Sequence, residues 1–208
     1  MKSAARSLLL VILVATTIQA QSRPQVLYVT QSAGFAHPVL PLTEEILPAL
    51  GRQHDAFDID ITRDASMLTT DTLSRYDAVV FYTTGELPMT VDQQTAFLEF
   101  IRNGGGFVGI HSATDTFYDW PEYGALIGGY FDNHPWREEV SVRVEDQTHP
   151  ATKHLAERFQ INDEIYQFKQ WSRDRVNVLM SLDTQSVDTT RDSVHRSDND
   201  FALTWSHS

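Results

Sequence analysis

The first half of the chain alternates between two hydrophobic patterns. Short runs of consecutive apolar residues, typical of strands buried in a parallel sheet, are separated by segments in which apolar residues recur every three or four positions, as in a helix packed on one face. The predicted elements, in chain order, are a strand at 25–30, a helix at 39–50 ended by Gly51, a half-buried strand at 57–61, a strand at 77–82, a helix at 90–103 capped by Thr90, and a short buried strand that ends at His111. This alternation indicates an α/β fold with a doubly wound parallel sheet.

The second half of the chain has a weaker pattern. Aromatic residues and glycines fill 117–134, where Gly124, Gly128 and Gly129 argue against a long regular element. Residues 140–144 alternate as in a strand with one solvated face, and 176–180 and 201–205 are further strand candidates. Residues 184–199 are polar and without periodicity, which predicts an exposed loop.

Composition narrows the function classes. The chain has 208 residues, enough for one domain with a substantial core, and its net charge of −12 argues against a surface for nucleic acid or anionic lipid. A small neutral or cationic ligand fits that charge better. The sequence contains no cysteine, so disulfide bonds and thiol nucleophiles are excluded.

The N-terminus has the pattern of a secretory signal peptide. Lys2 and Arg6 precede the apolar run 8–14, and Ala20 is the expected last residue removed. The run is shorter than the roughly 20 apolar residues of a membrane-spanning helix, so we expect no integral membrane span after cleavage. The sequence therefore predicts an exported domain at 21–208, secreted or periplasmic.

Two known motifs resemble the segment around His111, and neither fits it. Residues 104–109 match the letters G-x-G-x-x-G, but they precede a strand instead of following one, so no nucleotide site is predicted. His111 occupies the strand-to-helix turn where a nucleophile elbow would stand, and histidine there suits a base or metal ligand better than an acyl nucleophile. Ser112 is expected to cap the following helix, and Asp115 either caps it or orients His111.

Histidines from separate segments are expected to converge. His37 and His111 each follow a predicted parallel strand, and the carboxyl ends of such strands share one sheet edge, where ligands bind. His134 and Glu164 could complete a site for a divalent metal such as zinc. Histidines scattered along the sequence are weaker evidence for a metal than a close-spaced pair, so acid/base chemistry without metal remains an alternative.

The aromatic segment has two interpretations. Flat aromatic faces pack on the apolar faces of pyranose rings while amides bind hydroxyl groups, which predicts a carbohydrate site at Trp120, Tyr130, Asn133 and Trp136. The alternative is that these aromatics fill the core of a glycine-rich segment.

Two segments resemble the ThuA-like (trehalose utilisation) family, which is related to the class I glutamine amidotransferase-like fold. They are GGGFVGIHSATD at 104–115 and GGYFDNHPW at 128–136, with supporting matches of GFAH at 34–37, His-Pro at 149–150 and DEIY at 163–166. The resemblance implies a flavodoxin-like three-layer α/β/α sandwich with a mostly parallel sheet, in which His111 replaces the amidotransferase cysteine. It also implies a role in carbohydrate or keto-sugar metabolism and a sugar dehydrogenase or cytochrome-like partner. Family members usually continue past the strand at Trp205, so we expect that the domain lacks its C-terminal end.

These observations predict an exported enzyme of carbohydrate utilisation. His111 and Asp115 are the expected catalytic residues of a hydrolase or isomerase that acts on a disaccharide or keto-sugar, by His-based or metal-assisted acid/base chemistry. The alternative is a noncatalytic carbohydrate-binding module on a degenerate amidotransferase-like fold, which would keep the aromatics and tolerate loss of the histidines.

Overall fold

A parallel sheet forms the first half of the protein. The computed structural model describes residues 22–208, so the predicted signal peptide lies outside the described residues. The sheet has the order β2-β1-β3-β4. Its strands are β1 (Gln25–Val29), β2 (Asp58–Thr62), β3 (Ala78–Phe81) and β4 (Gly106–Gly109), and the helices are α1 (Leu40–Gln53), α2 (Thr70–Leu73), α3 (Val91–Arg102) and α4 (Pro121–Ile127). Within 22–208 no helix is long and apolar enough to cross a membrane.

Both faces of the parallel sheet are covered by helices. Leu27, Val79 and Phe81 pack against residues of α3 and α4, whereas Tyr28 and Val80, the alternate positions, pack beneath α1. Strands buried on both faces read as continuous apolar runs, which is why the sequence identified them. The predicted α/β fold with a parallel sheet is confirmed.

Two predicted details are wrong. The strand before His111 was expected to be buried, but β4 forms the edge of the sheet and Val108 is 50% exposed. The first helix was expected to stop at Gly51, but α1 continues to Gln53. Gly51 is required for packing, because a Cβ atom there would lie 2.6 Å from the carbonyl oxygen of Phe57.

A second, antiparallel sheet follows, with the order β6-β5-β7-β8. Its strands are β5 (Tyr130–Val144), β6 (Arg158–Lys169), β7 (Asn177–Leu182) and β8 (Ala202–Ser206). The expectation that 117–134 contains no long element is wrong, since it includes α4 and the start of β5. Register shifts on either side of Asn133 interrupt the pairing of β5 with β6. Such bulges break the period of two and re-aim side chains, which hid the strand from the sequence pattern.

Candidate active site

The loop that carries His37 is held by hydrogen bonds to Thr84. The Ala33 amide donates to the carbonyl oxygen of Thr84 (2.8 Å), and the Thr84 hydroxyl donates to the carbonyl oxygen of Phe35 (2.9 Å). Gly85 lies so close to this loop that a Cβ atom on it would be 2.6 Å from the amide nitrogen of Gly34. The position of His37 is therefore set by a close approach of two loops.

His111 stands at a strained turn directly after β4. The amide of Ile110 still donates to the carbonyl oxygen of Phe81 (2.8 Å), after which His111 has a φ of +48° and begins a 3-10 turn, His111–Asp115. A left-handed conformation is uncommon for a residue other than glycine and clusters at functional sites. The turn aims the imidazole over the carboxyl edge of the parallel sheet.

Two imidazoles and two phenols meet at this edge. The ring centroids of His37 and His111 are 4.8 Å apart, and the ring of Tyr82 lies 5.6 and 5.7 Å from them. Tyr166, from β6 of the second sheet, places its hydroxyl oxygen 2.9 Å from Nε2 of His111. The structure thus brings His37 and His111 together as the strand-end argument predicts, and adds Tyr166 as a partner.

The surroundings keep both imidazoles neutral near pH 7. Burial lowers the pKa of His111 below the ordinary value of 6.5, and neighbouring His37 lowers it further. Burial also lowers the pKa of His37, an effect opposed by the carboxylates of Glu164 and Asp115. Burial raises the pKa of Tyr166, so its phenol stays protonated. A neutral imidazole beside a neutral phenol can accept a proton, which is the property required of a general base.

The predicted metal ligands do not have the arrangement of a metal site. Oε2 of Glu164 lies 2.6 Å from Nη2 of Arg137, and Nε2 of His134 lies 3.4 Å from the same nitrogen. These two residues are therefore arranged around a guanidinium cation, while His111 is bonded to Tyr166. Within residues 22–208, no group of three or more His, Cys, Asp or Glu side chains is placed to hold a metal ion. The residues as they stand do not fit the expected zinc site.

The expected roles of Asp115 and Ser112 need correction. Oδ1 of Asp115 accepts a hydrogen bond of 2.6 Å from the hydroxyl of Tyr118, so Asp115 positions that phenol and makes no hydrogen bond to His111 among the described residues. The Oγ atom of Ser112 is buried, and within 22–208 it has no hydrogen-bond partner. The 3-10 turn has no side-chain cap at its N-terminus, so the capping role expected of Ser112 is wrong.

The predicted sugar-binding aromatics lie in the cores. Trp120 and Tyr130 belong to the cluster against the parallel sheet, and the hydroxyl of Tyr130 donates to the carbonyl oxygen of Phe117 (2.9 Å). Trp136 is 0% exposed. The Nδ2 group of Asn133 donates to the carbonyl oxygen of Ser193 (3.0 Å). All three aromatic rings are buried, as the core-filling alternative expects.

Sequence reasoning missed several residues of this region. Tyr166 and Arg137 lie on β6 and β5, which the sequence did not identify as a long paired hairpin. His195 is exposed, and its Nδ1 lies 2.7 Å from Oδ2 of Asp132. The alternation Asp163-Glu164-Ile165-Tyr166 is the one local signal, because period two puts Glu164 and Tyr166 on the same strand face.

A family model and a solved structure at 30% identity indicate the same family. The family model described as ThuA, trehalose utilisation, matches residues 25–208. A ThuA-like protein from Bacteroides uniformis is 30% identical with a TM-score of 0.75, over 92% of this chain and 80% of that one. A ThuA-like protein from Parabacteroides merdae is 18% identical with a TM-score of 0.62, over 79% and 71% of the two chains. A glutamine amidotransferase from Thermotoga maritima is 12% identical with a TM-score of 0.43, over 78% and 69%. No curated protein matches this chain.

Proposed function

Because the chain belongs to the ThuA family of trehalose utilisation, we propose that it is an exported enzyme of carbohydrate utilisation, which uses His111 as a general base on a disaccharide or its keto derivative. The observation that carries the proposal is the pair of half-buried imidazoles at the carboxyl edge of the parallel sheet. Their ring centroids are 4.8 Å apart, and Tyr166 is bonded to one of them. This edge is where parallel α/β sheets bind ligands.

The arrangement suits removal of a proton next to a sugar ketone. In the proposed step a nitrogen of His111 takes the proton, the C–H electron pair forms the C=C bond of an enolate, and the carbonyl electrons move to oxygen. A ring N–H of His37 donates a hydrogen bond to that oxygen. His111 then returns the proton to the same carbon, or to the former carbonyl carbon. In the second case the proton of the neighbouring hydroxyl moves to the enolate oxygen and a new ketone forms on the neighbouring carbon, which would isomerise the sugar. Reacting groups held this close gain from proximity and from proton transfer within the site.

Glutamine hydrolysis is not part of the proposal. Amidotransferase chemistry of the class I type needs a cysteine nucleophile at the strand-to-helix turn, and this chain has no cysteine. His111 at that turn has the left-handed backbone of an elbow residue but a side chain suited to moving protons.

The noncatalytic binding module is less well supported. That alternative depended on Trp120, Tyr130 and Trp136 as a wall for sugar rings, and these rings are buried. It also gives no reason for a strained histidine at the ligand-binding edge. Export and a sugar dehydrogenase or cytochrome-like partner belong to our proposal, because an oxidising partner would supply the ketone.

Metal-assisted chemistry is tested separately from the base. The ion pair of Arg137 with Glu164 takes up one of the four expected ligands, so we expect purified protein to contain much less than one equivalent of zinc. Elemental analysis of wild type and His111→Ala checks this. Stoichiometric metal that is lost in the variant would show that the expected metal site forms.

The proposal is tested by hydrogen exchange with solvent. Wild-type protein is incubated in D₂O with trehalose or with monoketo-trehalose, in which one secondary hydroxyl is oxidised, and ¹H NMR follows the signals next to the ketone. We expect enzyme-dependent loss of those signals, and no change in trehalose itself, because only the ketone acidifies its neighbouring C–H bonds. Exchange no faster than in buffer would overturn the proposal.

A further inference from the structure

One aromatic ring beside the histidine pair is exposed. Phe35 lies two residues before His37, is 66% exposed, and meets the His37 ring edge to face with centroids 5.0 Å apart. Among residues 22–208 only one other aromatic side chain, Tyr118, is exposed. The Tyr118 ring has the ammonium group of Lys169 over it at 4.6 Å and the ring of Tyr130 at 5.1 Å. Phe35 therefore has the most open aromatic face at this edge.

The exposure of Phe35 does not come from a loose loop. The carbonyl oxygen of Phe35 accepts a hydrogen bond from the hydroxyl of Thr84 (2.9 Å). The amide of neighbouring Gly34 donates to the carbonyl oxygen of Thr84 (3.2 Å). A ring whose backbone is already fixed loses little conformational entropy when a ligand covers it. Small-molecule sites are lined by aromatic rings with a few convergent polar groups, and Phe35 places such a ring beside the histidine pair.

The charges around Phe35 select the kind of ligand. The carboxylates of Glu164 and Asp115 act on nearby His37, and the chain has a net charge of −12. An anionic ring such as a nucleotide would be repelled. A neutral pyranose has an apolar C–H face that can pack on a phenyl ring and hydroxyl groups that can reach the imidazoles.

We propose that Phe35 is the stacking platform for one pyranose ring of the substrate, and that it holds this ring with its reacting carbon toward His37 and His111. The inference rests on the proposed function for the substrate class. It moves the carbohydrate subsite from the buried aromatics to the loop after β1.

A competing role for Phe35 is contact with another protein. Apolar residues of α1 and the residue before it are also exposed at helical spacing, and together they form a stripe: Val39, Leu42, Ile46 and Leu50. If Phe35 belongs to a protein-docking surface with this stripe, Leu42→Ala should share the effects of Phe35→Ala. If Phe35 is a sugar platform, Leu42→Ala should bind sugar as wild type does.

The experiment measures sugar binding and oligomeric state in four proteins. Wild type, Phe35→Ala, Phe35→Tyr and Leu42→Ala are titrated with trehalose and with monoketo-trehalose by saturation-transfer NMR, and their masses are measured by light scattering. We expect Phe35→Ala to weaken binding about tenfold, Phe35→Tyr to restore it within about twofold, and Leu42→Ala to leave it unchanged. Because Phe35 is exposed, its loss should leave the circular dichroism spectrum unchanged.

Three results would overturn the platform: wild-type affinity in Phe35→Ala, a wild type that binds neither sugar, or a binding loss shared with Leu42→Ala or accompanied by a change of mass. The outcome is separable from that of the proposed function. Sugar binding that depends on Phe35, without deuterium exchange, would support the platform and refute the base. Deuterium exchange that is as fast in Phe35→Ala as in wild type would support the base and refute the platform.

Discussion

Gly85 is the position at which one methyl group should disturb the whole site. Its backbone has a φ of +74°, and an added Cβ atom would lie 2.6 Å from the amide nitrogen of Gly34, in the loop that carries His37. On its other side, the Gly85 amide donates to the carbonyl oxygen of Asp115 (2.8 Å), at the end of the turn that begins with His111. Gly85 therefore connects the two loops that hold the imidazoles.

The expected cost of Gly85→Ala has two parts. A side chain in the left-handed region costs about 1–2 kcal/mol, and the overlap with backbone, which cannot rotate away, adds about 1–3 kcal/mol. Together these lower the free energy of unfolding by about 2–5 kcal/mol, out of the roughly 5–15 kcal/mol typical of a domain. Gly104 offers a matched control, since its φ is +99° and a Cβ atom there would meet nothing within 4 Å.

Urea unfolding followed by tryptophan fluorescence compares the two variants. Gly104→Ala should lose only the backbone part, about 1–2 kcal/mol, and keep wild-type deuterium exchange on monoketo-trehalose. Gly85→Ala should be less stable than the control by about 1–3 kcal/mol and should lose exchange, because both histidine loops shift. Equal stabilities, or full exchange in Gly85→Ala, would refute the close approach as the device that positions the site.

Three further predictions concern single side chains. Tyr166→Phe removes the hydroxyl bonded to His111 and should lower kcat of the exchange reaction about tenfold to hundredfold with KM nearly unchanged; a wild-type kcat would contradict this role. Trp136→Phe loses the hydrogen bond from Nε1 to the carbonyl oxygen of Asp188 (3.1 Å) and should cost about 1 kcal/mol in urea unfolding, while trehalose affinity stays constant. The pKa of His111 is lower in the folded than in the unfolded protein, so below pH 6.5 the unfolded state binds more protons. The free energy of unfolding should therefore decrease as the pH is lowered, until His111 is protonated in both states. His111→Gln should flatten that slope, and an equal slope in both proteins would contradict the burial argument.

The sequence predicted the parallel half of the fold because its signals are local. Continuous apolar runs identified β1 and β3, and Thr90 caps α3 through a capping box with Gln93. The meeting of His37 and His111 followed from the rule that parallel strands end at one sheet edge. No knowledge of distant contacts was needed for these predictions.

The antiparallel half was harder because its order depends on distant pairs. β5 contains two register shifts next to Asn133, and these interrupt the alternation that would reveal a strand. The segment expected to be an exposed loop at 184–199 is bound to the sheet by long-range contacts: the His195 amide donates to Oε1 of Gln167 (3.0 Å), which is fully buried. Neither the register shifts nor the hydrogen bond to Gln167 has a local sequence signal.

The aromatic residues show how one composition can mislead. Glycine and aromatics occur together here because the glycines make room for rings. A Cβ atom on Gly124 would lie 2.6 Å from the Tyr130 ring, and one on Gly129 would lie 2.7 Å from Cβ of Trp171. The same composition is expected of a sugar-binding wall, so only burial separates the two interpretations.

The central claim is that His111 is the base of a proton-transfer reaction on a keto-sugar. The most direct measurement is kcat/KM for deuterium exchange into monoketo-trehalose in wild type, His111→Gln and His54→Gln. His54 is exposed at the far end of α1 and serves as the matched histidine control. We predict that His111→Gln loses a factor of about 10²–10⁴ with an unchanged circular dichroism spectrum, while His54→Gln keeps wild-type activity. Wild-type exchange in folded His111→Gln would contradict the account.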